Sequence, residues 1–310
     1  MKYIAILGAG NLGCYLTNRF INSNNNNYCK VSLFDKTDLD ITKENQFYQL
    51  DSYDIIINCA AYTKVDLANT DIVESYKCST VNNYGVYLLA RYCKNNNKKL
   101  IHISSDFVYG SNDNVELAET IKCTPVNIYG RSKLDGEQYL TKTHDNYLIL
   151  RVSWIFGGGG DNFIRKIVKQ LQKSSFKKIY VVDDQIGRPT SFNLIFNTIY
   201  AYIHELIPNG IYNLQNNGGF ISKYELAKFI ENKLNYVNRI KPVKTNNKSL
   251  IAAPRQLNSR LNCEKIDKLN IITRLPWEKE VNEYLNILTY NIKETVLQKI
   301  IKLYKCMVKK

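Results

Sequence analysis

The sequence predicts an α/β fold: a doubly wound parallel sheet with a smaller C-terminal α/β portion. Strand and helix patterns alternate through the first half of the chain, which is typical of parallel strands covered by helices on both faces. The run Ile55-Ile56-Ile57 is continuously apolar, as expected of a strand buried on both faces. A glycine-rich turn also follows the first strand and leads directly into a helix.

Hydrophobic periodicity predicts the order of the elements. The strands are predicted at residues 3–7, 30–34, 55–59, 100–104, 147–152, 179–183 and 211–214. The helices are predicted at residues 12–21, 70–95, 126–141, 162–173, 192–205 and 223–234. Past Leu150 the alternation becomes irregular. We therefore expect a first domain of residues 1–155, to which the chain returns at about 190–215, and a smaller substrate-binding domain of residues 156–189 and 216–290.

Composition and charge argue against several functional classes. The chain has 310 residues, and its 8 cysteines form no C-x-x-C pair and do not cluster with the 3 histidines, so we predict no metal site. No uncharged apolar run reaches the roughly 18 residues of a membrane span. The chain enters a strand at once, which predicts a cytoplasmic protein with reduced thiols. The net charge of +14 is spread out without a nucleic-acid-binding motif, so we predict no nucleic-acid partner.

Residues 291–310 form a separate basic segment. Val296, Ile300, Leu303 and Met307 are spaced for one helix face, which predicts a basic amphipathic C-terminal helix that packs on the domain. A homodimer contact and an anionic membrane surface are the alternative uses of this segment.

The turn Gly8-Ala9-Gly10-Asn11-Leu12-Gly13 predicts a dinucleotide site. Gly8 allows the tight turn, Gly10 lets the backbone approach a pyrophosphate, and Gly13 lets the helix pack against the strand. Asn11 and Leu12 open that helix, whose free N–H groups attract phosphate oxygens. The predicted sheet is therefore of the Rossmann type, with these residues as cofactor contacts.

An acidic residue stands where the ribose of such a cofactor would lie. Asp35 ends the second predicted strand, near the expected spacing of about 20 residues. An aspartate there accepts from a ribose 2′-hydroxyl and favours NADH, whereas the adjacent Lys36 would meet the 2′-phosphate of NADPH. The sequence therefore leaves NADPH and NADH open as the cofactor.

Tyr129 and Lys133 are placed one helical turn apart and share one face of a predicted helix. A lysine ammonium near a phenol favours the phenolate, so we expect Lys133 to lower the pKa of Tyr129. Ser105 closes a strand and can hydrogen-bond the same reacting oxygen. Because reduction of a ketone needs a proton donor as hydride arrives, we predict Ser105, Tyr129 and Lys133 as the catalytic residues.

Several longer motifs point to one family. They lie at residues 58–66, 102–109, 125–137, 150–156, 184–190 and 255–261, and so run through most of the chain. With these motifs the chain resembles the dTDP-4-dehydrorhamnose reductases, within the extended short-chain dehydrogenase/reductases. The segments at 184–190 and 255–261 are the narrower signals, because Tyr-x-x-x-Lys is shared by the whole superfamily.

The resemblance implies a Rossmann domain plus a nucleotide-sugar-binding domain, and NAD(P)H-dependent reduction of the C4 ketone of a nucleotide-linked 4-keto-6-deoxyhexose. In that reaction Tyr129 would be the general acid, Lys133 would also hold the nicotinamide ribose, and Ser105 would polarise the ketone. Further cofactor contacts would be Cys59, Ala60, Ala61, Tyr62 and Asn82. Substrate contacts would be Ser105, Asp106, Phe107, Trp154, Asn162, Gln185 and Arg255.

Some of these residues also have a purely structural interpretation. Asn82 would support the proton relay or be a polar residue of a helix surface, and Trp154 would contact the sugar or belong to the core. Gln185 and Arg255 would contact phosphate or sugar, or would be structural.

The chain departs from the family pattern at two positions. Leu7 stands where the first glycine of G-x-x-G-x-x-G is usual, so Gly8 must supply the turn and the cofactor preference stays open. Phe107 stands where the family has tyrosine, which removes a hydroxyl near the substrate and leaves the sugar open.

Two further interpretations compete with this reductase. One is a reductase of a UDP-linked sugar, N-acetylated or not, or a bifunctional epimerase/reductase in which Asp106 and Cys123 add an acid/base pair. The other is a regulatory subunit, because the methionine adenosyltransferase β subunit resembles the same reductases and binds a partner enzyme. Hydride transfer to a keto-sugar by the isolated chain separates the enzymes from the regulatory subunit.

Overall fold

The structure, a computed structural model, describes residues 1–23, 29–111, 113–173, 177–245 and 253–290. The strands, in chain order, are β1 (Lys2–Leu7), β2 (Cys29–Phe34), β3 (Ile55–Asn58), β4 (Lys99–Ser105), β5 (Tyr147–Val152), β6 (Ile155–Phe156), β7 (Ile179–Val182), β8 (Ile186–Gly187), β9 (Thr190–Ser191), β10 (Gly210–Leu214), β11 (Ile221–Ser222), β12 (Ile240–Val243) and β13 (Asn258–Ser259).

The helices are α1 (Asn11–Asn22), α2 (Val65–Thr70), α3 (Ile72–Ser79), α4 (Gly85–Asn95), α5 (Ile128–Thr143), α6 (Phe163–Leu171), α7 (Phe192–Ile203), α8 (Lys223–Lys233) and α9 (Glu264–Asp267). Residues 277–290 are also helical. Within the described ranges, no helix combines the length and the apolar character that crossing a bilayer requires. The basic helix predicted at 291–310 lies outside the described residues.

A six-stranded sheet forms the centre of the molecule, in the order β10-β5-β4-β3-β1-β2. All of its neighbouring strands are parallel. The doubly wound α/β fold predicted from the sequence is therefore confirmed. The strand order reverses between β1 and β3, and ligands of such sheets bind beyond the carboxyl ends of the strands at this point.

Alternate side chains of β1 enter two different cores, as the pleat of a strand requires. Ile4 and Ile6 pack with apolar side chains of α1 and α7 on one face. Ala5 and Leu7 pack with apolar side chains of α4 on the other face. Both faces are closed to solvent, so the carboxyl edge of the sheet is the part left for a ligand.

The helix predicted over residues 70–95 is interrupted, which corrects that prediction. Asp71 has an extended backbone, and its side chain accepts hydrogen bonds from the N–H groups of Val73 and Glu74. This N-cap ends α2 and begins α3. A π-helical turn, Thr80–Tyr84, then joins α3 to α4 and contains the fully buried Asn82. Such turns occur frequently at functional sites.

A third core lies outside the central sheet. It combines apolar side chains of α6, α8, β7 and the helix at 277–290, among them Ile167, Ile230 and Val281. The strand predicted over 179–183 is β7, which pairs with β12 and does not join the central sheet. The domain boundaries given above stay a prediction.

Candidate active site

A groove of about 510 Å³ opens at the carboxyl edge of the central sheet. Its wall contains Ser105, Tyr129 and Lys133 beside the glycine turn. A second cavity, of about 480 Å³, shares Gly10 and Cys59 with the groove and continues past the end of β2. A larger cavity, of about 560 Å³, lies between α1 and the helix at 277–290 and contains none of the predicted site residues.

Most predicted contacts line one of the first two cavities. The groove is lined by Gly10, Asn11, Leu12, Gly13, Cys59, Ala61, Ser105, Asp106, Phe107, Tyr129, Lys133, Trp154 and Asn162. The second cavity is lined by Gly8, Gly10, Asp35, Lys36, Cys59, Ala60, Ala61 and Tyr62. Three predicted contacts, Asn82, Gln185 and Arg255, line neither cavity.

The glycine turn has the geometry that close approach of a ligand requires. Gly8 has φ +97°, and a Cβ there would lie 2.6 Å from the backbone nitrogen of Ala60. A Cβ on Gly13 would lie 2.1 Å from the Gly8 carbonyl oxygen, whereas Gly10 faces open space. No side chain caps the N-terminus of α1, so its N–H groups are available to an anion. Leu7 is buried in the core, which explains why the turn begins only at Gly8.

Two asparagines of the groove wall also have structural hydrogen bonds. Asn11 donates to the Gly157 carbonyl at 3.1 Å and accepts from the Gly160 N–H at 2.9 Å, which ties the loop after β6 to α1. Asn162 caps α6 and donates to the Tyr284 hydroxyl at 2.9 Å. Each asparagine therefore holds a groove-lining segment in place.

Asp35 and Lys36 lie at the far end of the second cavity. The Asp35 Oδ1 atom accepts from the N–H and hydroxyl of Thr37 and from the Asp38 N–H, and the Thr37 bonds lower the pKa of Asp35. The Lys36 side chain is 79% exposed, with Nζ 4.0 Å from the Asp40 carboxylate. An exposed lysine thus lies beside an aspartate that already has hydrogen-bond partners.

Tyr129 and Ser105 lie side by side in the groove wall. Burial raises the pKa of Tyr129, and a hydrogen bond with Ser105 partly offsets this effect. The Ser105 hydroxyl also donates to Asp106 Oδ1 at 3.0 Å. The ring of Phe107 packs edge-on against Tyr129 at a centroid distance of 5.5 Å. The phenol is therefore protonated at neutral pH, as a general acid must be.

The expectation that Lys133 lowers the pKa of Tyr129 is not met. Lys133 Nζ donates to the Ile103 carbonyl at 2.7 Å and lies 3.2 Å from His102 Nε2. Burial lowers the pKa of Lys133 itself to about 8. The Lys133 amino group is thus bonded to β4, and burial decides the pKa of the phenol.

Asn82 lies behind the wall and fixes the loop that forms it. Its Oδ1 atom accepts from the Tyr62 N–H at 2.9 Å, and its Nδ2 atom donates to the Tyr62 carbonyl at 3.0 Å. Nδ2 also contacts Ser132 Oγ at 3.1 Å. Asn82 is fully buried, so the helix-surface interpretation is wrong.

Gln185 and Arg255 are held away from the groove by other partners. Gln185 is buried and donates to Thr245 Oγ1 at 3.1 Å. Arg255 forms an ion pair with Asp66 at 2.9 Å, in a smaller cavity that shares Thr63 with the groove. Arg255 thus lies beside the groove without lining it.

The groove is also lined by Asp106, Phe107 and Trp154. Asp106 is buried, and desolvation raises its pKa although Ser105 and Gln256 hydrogen-bond to it. Trp154 has φ +47°, which is strained for a bulky residue. Such strain clusters at ligand sites, so its position is an argument for contact with a ligand and against a role confined to the core.

Two residues near the groove were missed from the sequence. Lys223 begins α8, and its Nζ lies 5.5 Å from the ring centroid of Trp154. Burial lowers the pKa of Lys223 to about 8, with Asp106 acting in the opposite direction. His102 is fully buried against Lys133. No local sequence pattern indicates a site at either residue, because Lys223 opens a helix and His102 lies within an apolar strand.

Comparison with known proteins identifies the family. The dTDP-4-dehydrorhamnose reductase of Aggregatibacter actinomycetemcomitans is 30% identical over 294 residues, 90% of this chain and 97% of that protein. A family model described as RmlD substrate binding domain matches residues 1–290. The chain belongs to the dTDP-4-dehydrorhamnose reductase family. The resemblance stated from the sequence motifs is therefore confirmed.

Other members of the dTDP-4-dehydrorhamnose reductase family are similar in sequence and structure. The reductase of Sinorhizobium fredii (strain NBRC 101917 / NGR234) is 32% identical over 237 residues, 73% of this chain and 77% of that protein. A crystal structure of dTDP-4-dehydrorhamnose reductase from Bacillus anthracis str. Ames in complex with NADP superposes with a TM-score of 0.83 at 33% identity, covering 92% of this chain and 99% of that one. Among the residues described for this family member, no group of three or more His, Cys, Asp or Glu side chains could hold a metal ion.

Proposed function

We propose that this chain reduces the C4 ketone of a dTDP-linked 4-keto-6-deoxyhexose with NADPH or NADH, in deoxysugar biosynthesis. One observation carries the proposal: Ser105, Tyr129 and Lys133 share one groove wall with the glycine turn at the N-terminus of α1. The relatives named above are dTDP-4-dehydrorhamnose reductases, which supports dTDP as the nucleotide.

The two adjoining cavities fit a dinucleotide. The uncapped N-terminus of α1 and the open face of Gly10 would receive its phosphates, and Asp35 and Lys36 would meet its adenosine ribose. When bound, the reduced nicotinamide supplies the hydride. The exposed Lys36 and the NADP in the Bacillus relative support NADPH as the preferred cofactor.

The proton would come from Tyr129. Its raised pKa keeps the phenol protonated until a ketone oxygen gains charge beside it. Ser105 would turn its hydroxyl from Asp106 toward the same oxygen and stabilise that charge. Lys133 would hold the nicotinamide ribose from the β4 side of the groove.

The sugar would lie against Phe107 and Trp154, and its diphosphate would be attracted by the cations on that side. Lys223 lies near Trp154, and the Arg255 guanidinium lies 6.0 Å from the ring centroid of Phe107. We infer that residues 156–189 and 216–290 form the nucleotide-sugar-binding domain. The cytoplasmic location and the homodimer stay predictions.

The test is oxidation of NADPH and of NADH with dTDP- and UDP-linked 4-keto-6-deoxy sugars, with and without a 3,5-epimerase. Turnover of the dTDP sugar only with the epimerase supports a dedicated 4-reductase, and turnover without it indicates a bifunctional enzyme. Preference for the UDP sugar would replace dTDP as the nucleotide. Cofactor binding without any turnover would contradict the proposal and favour the regulatory subunit.

A further inference from the structure

A buried chain of hydrogen bonds ends at Lys133. Asn58 on β3 and His102 on β4 are paired in the parallel register, which places their side chains side by side. Asn58 Nδ2 lies 3.2 Å from His102 Nδ1, and His102 Nε2 lies 3.2 Å from Lys133 Nζ. Asn58 and His102 are 1% and 0% exposed, so water does not compete for these atoms.

A backbone group sets the direction of this chain. The Ala60 N–H donates to Asn58 Oδ1 at 3.1 Å, and a backbone N–H cannot become an acceptor. Asn58 Oδ1 is thereby fixed, so its Nδ2 is the atom that donates to His102 Nδ1. A neutral imidazole that accepts at Nδ1 carries its proton on Nε2. The His102 N–H therefore points at Lys133 Nζ.

The direction of this N–H matters for the charge of Lys133. A neutral amine can accept from His102 Nε2 while it donates to the Ile103 carbonyl, and each contact of the hydrogen-bond chain then joins a donor to an acceptor. An ammonium has no lone pair, so it would place two donors against each other at 3.2 Å. The hydrogen-bond chain therefore opposes the charged form of Lys133.

We propose that His102 is a positioning residue for Lys133: Asn58 holds the imidazole as its Nε2–H tautomer, and this N–H orients the lysine and favours the amine over the ammonium. The catalytic use of Lys133 rests on the proposed function, whereas the hydrogen-bond chain does not. The outcome is that Lys133 can gain or lose a proton close to neutral pH.

The electrostatic surroundings agree with this proposal. Burial lowers the pKa of Lys133 to about 8, although Glu137, Cys78 and Cys59 act in the opposite direction. Burial also lowers the pKa of His102 well below its usual value, and a proton on the adjacent Lys133 would lower it further. His102 is therefore neutral, as the tautomer argument requires.

The first test is the tautomer of His102, read by NMR of 15N-histidine-labelled protein without substrate or cofactor. The protein has 3 histidines, and the signal that disappears in the His102→Gln variant is that of His102. His144 is the internal reference, because its Nε2 faces the Lys98 carbonyl at 2.9 Å. We expect His102 as the Nε2–H tautomer above about pH 8, where Lys133 is an amine, and as a neutral imidazole down to about pH 5. A proton on Nδ1 above about pH 8, or an imidazolium, overturns the proposal.

The second test uses the Asn58→Asp variant to reverse the direction of the hydrogen bonds. A carboxylate accepts from both Ala60 and His102, so the imidazole should move to its Nδ1–H tautomer and offer Nε2 as an acceptor to Lys133. We expect the pKa of Lys133, read from its side-chain NMR signal and assigned with Lys133→Met, to rise by about one unit or more. A changed tautomer with an unchanged lysine pKa overturns the proposed link.

These readouts are independent of turnover. If the chain proves to have no reductase activity but shows the expected tautomer, the proposed function fails and the hydrogen-bond chain stands. If Asn58→Asp does not fold, the wild-type tautomer alone decides, because the Nδ1–H form contradicts the proposal without any variant.

Discussion

The Glu137 carboxylate and the Arg151 guanidinium form a bidentate ion pair buried between α5 and β5. Arg151 Nε donates to both carboxylate oxygens at 3.1 Å, and Nη2 donates to Oε2 at 2.6 Å. Ser104 also donates to Glu137, and Arg151 donates to the Tyr109 hydroxyl at 2.9 Å. The helix that carries the proposed acid is thereby fastened to β4 and β5.

Glu137→Gln should lower the free energy of unfolding by about 3–5 kcal/mol, because it leaves the guanidinium buried without a counter-charge. The two side chains are 2% and 5% exposed, so solvent does not screen the loss. Urea denaturation measures the change. The control is Glu205→Gln, whose ion pairs are exposed and whose stability should stay close to wild type. If both variants have the same free energy of unfolding, the buried ion pair does not stabilise the fold.

Tyr129→Phe should leave cofactor binding near normal and reduce turnover by roughly 100-fold or more, because the general acid is lost. Tyr139→Phe is the matched control, since Tyr139 lies on the same helix and is 46% exposed. Cofactor affinity by fluorescence titration and initial rates separate the two effects. Full activity in Tyr129→Phe would remove the phenol from the mechanism.

The stability of the chain should depend on pH through Lys133. Burial lowers the pKa of Lys133 from 10.5 to about 8. Between these values the unfolded chain keeps a proton that the folded chain has released, so the free energy of unfolding rises with pH across this window. Lys133→Met should lose this rise in urea unfolding measured from pH 8 to pH 10.5. Lys223 contributes in the same direction to both proteins, so the difference between them isolates Lys133. If the free energy of unfolding rises equally with pH in both proteins, the pKa of Lys133 is not lowered by folding.

Asn82→Ala should weaken cofactor binding about tenfold, because the loop after β3 loses both bonds to Tyr62. It should also lower the free energy of unfolding by about 1–3 kcal/mol, since buried groups are left unpaired. Asn83→Ala, one residue further along the same π-helical turn, is the control. If the cofactor dissociation constants of both variants match the wild type, the hydrogen bonds between Asn82 and Tyr62 have no part in cofactor binding.

Lys223→Met should raise the KM of the nucleotide-sugar about tenfold with little change in kcat, because a cation near the anionic substrate is removed. The control is Lys233→Met, an exposed lysine at the other end of α8. Steady-state rates at varied substrate give both constants. A fall confined to kcat would instead assign Lys223 to the chemical step.

The parts of the site that depend on neighbouring residues in sequence could be predicted. Gly8, Gly10 and Gly13 act within one turn, and their roles follow from φ and from missing Cβ atoms. The break at Asp71 was also predictable, because an aspartate followed three residues later by Glu74 is typical of a helix start.

The remaining parts depend on contacts between distant segments. Lys133 bonds to β4, and its partners there are set by packing that no local pattern contains. Lys223 reaches Trp154 because α8 begins directly after β11, which pairs with β8. Gln185 and Arg255 fall within narrow family motifs, yet hydrogen bonds to Thr245 and Asp66 hold them outside the groove wall.

The buried pair of Glu137 and Arg151 has a consequence for how such an enzyme could diversify. It secures α5 through residues that are not part of the groove wall. We therefore expect α5, the helix that carries the proton donor, to keep its place when Phe107 and Trp154 are exchanged for other side chains. Variation at those two positions offers a route to new sugar preferences that leaves the scaffold and the chemical step intact.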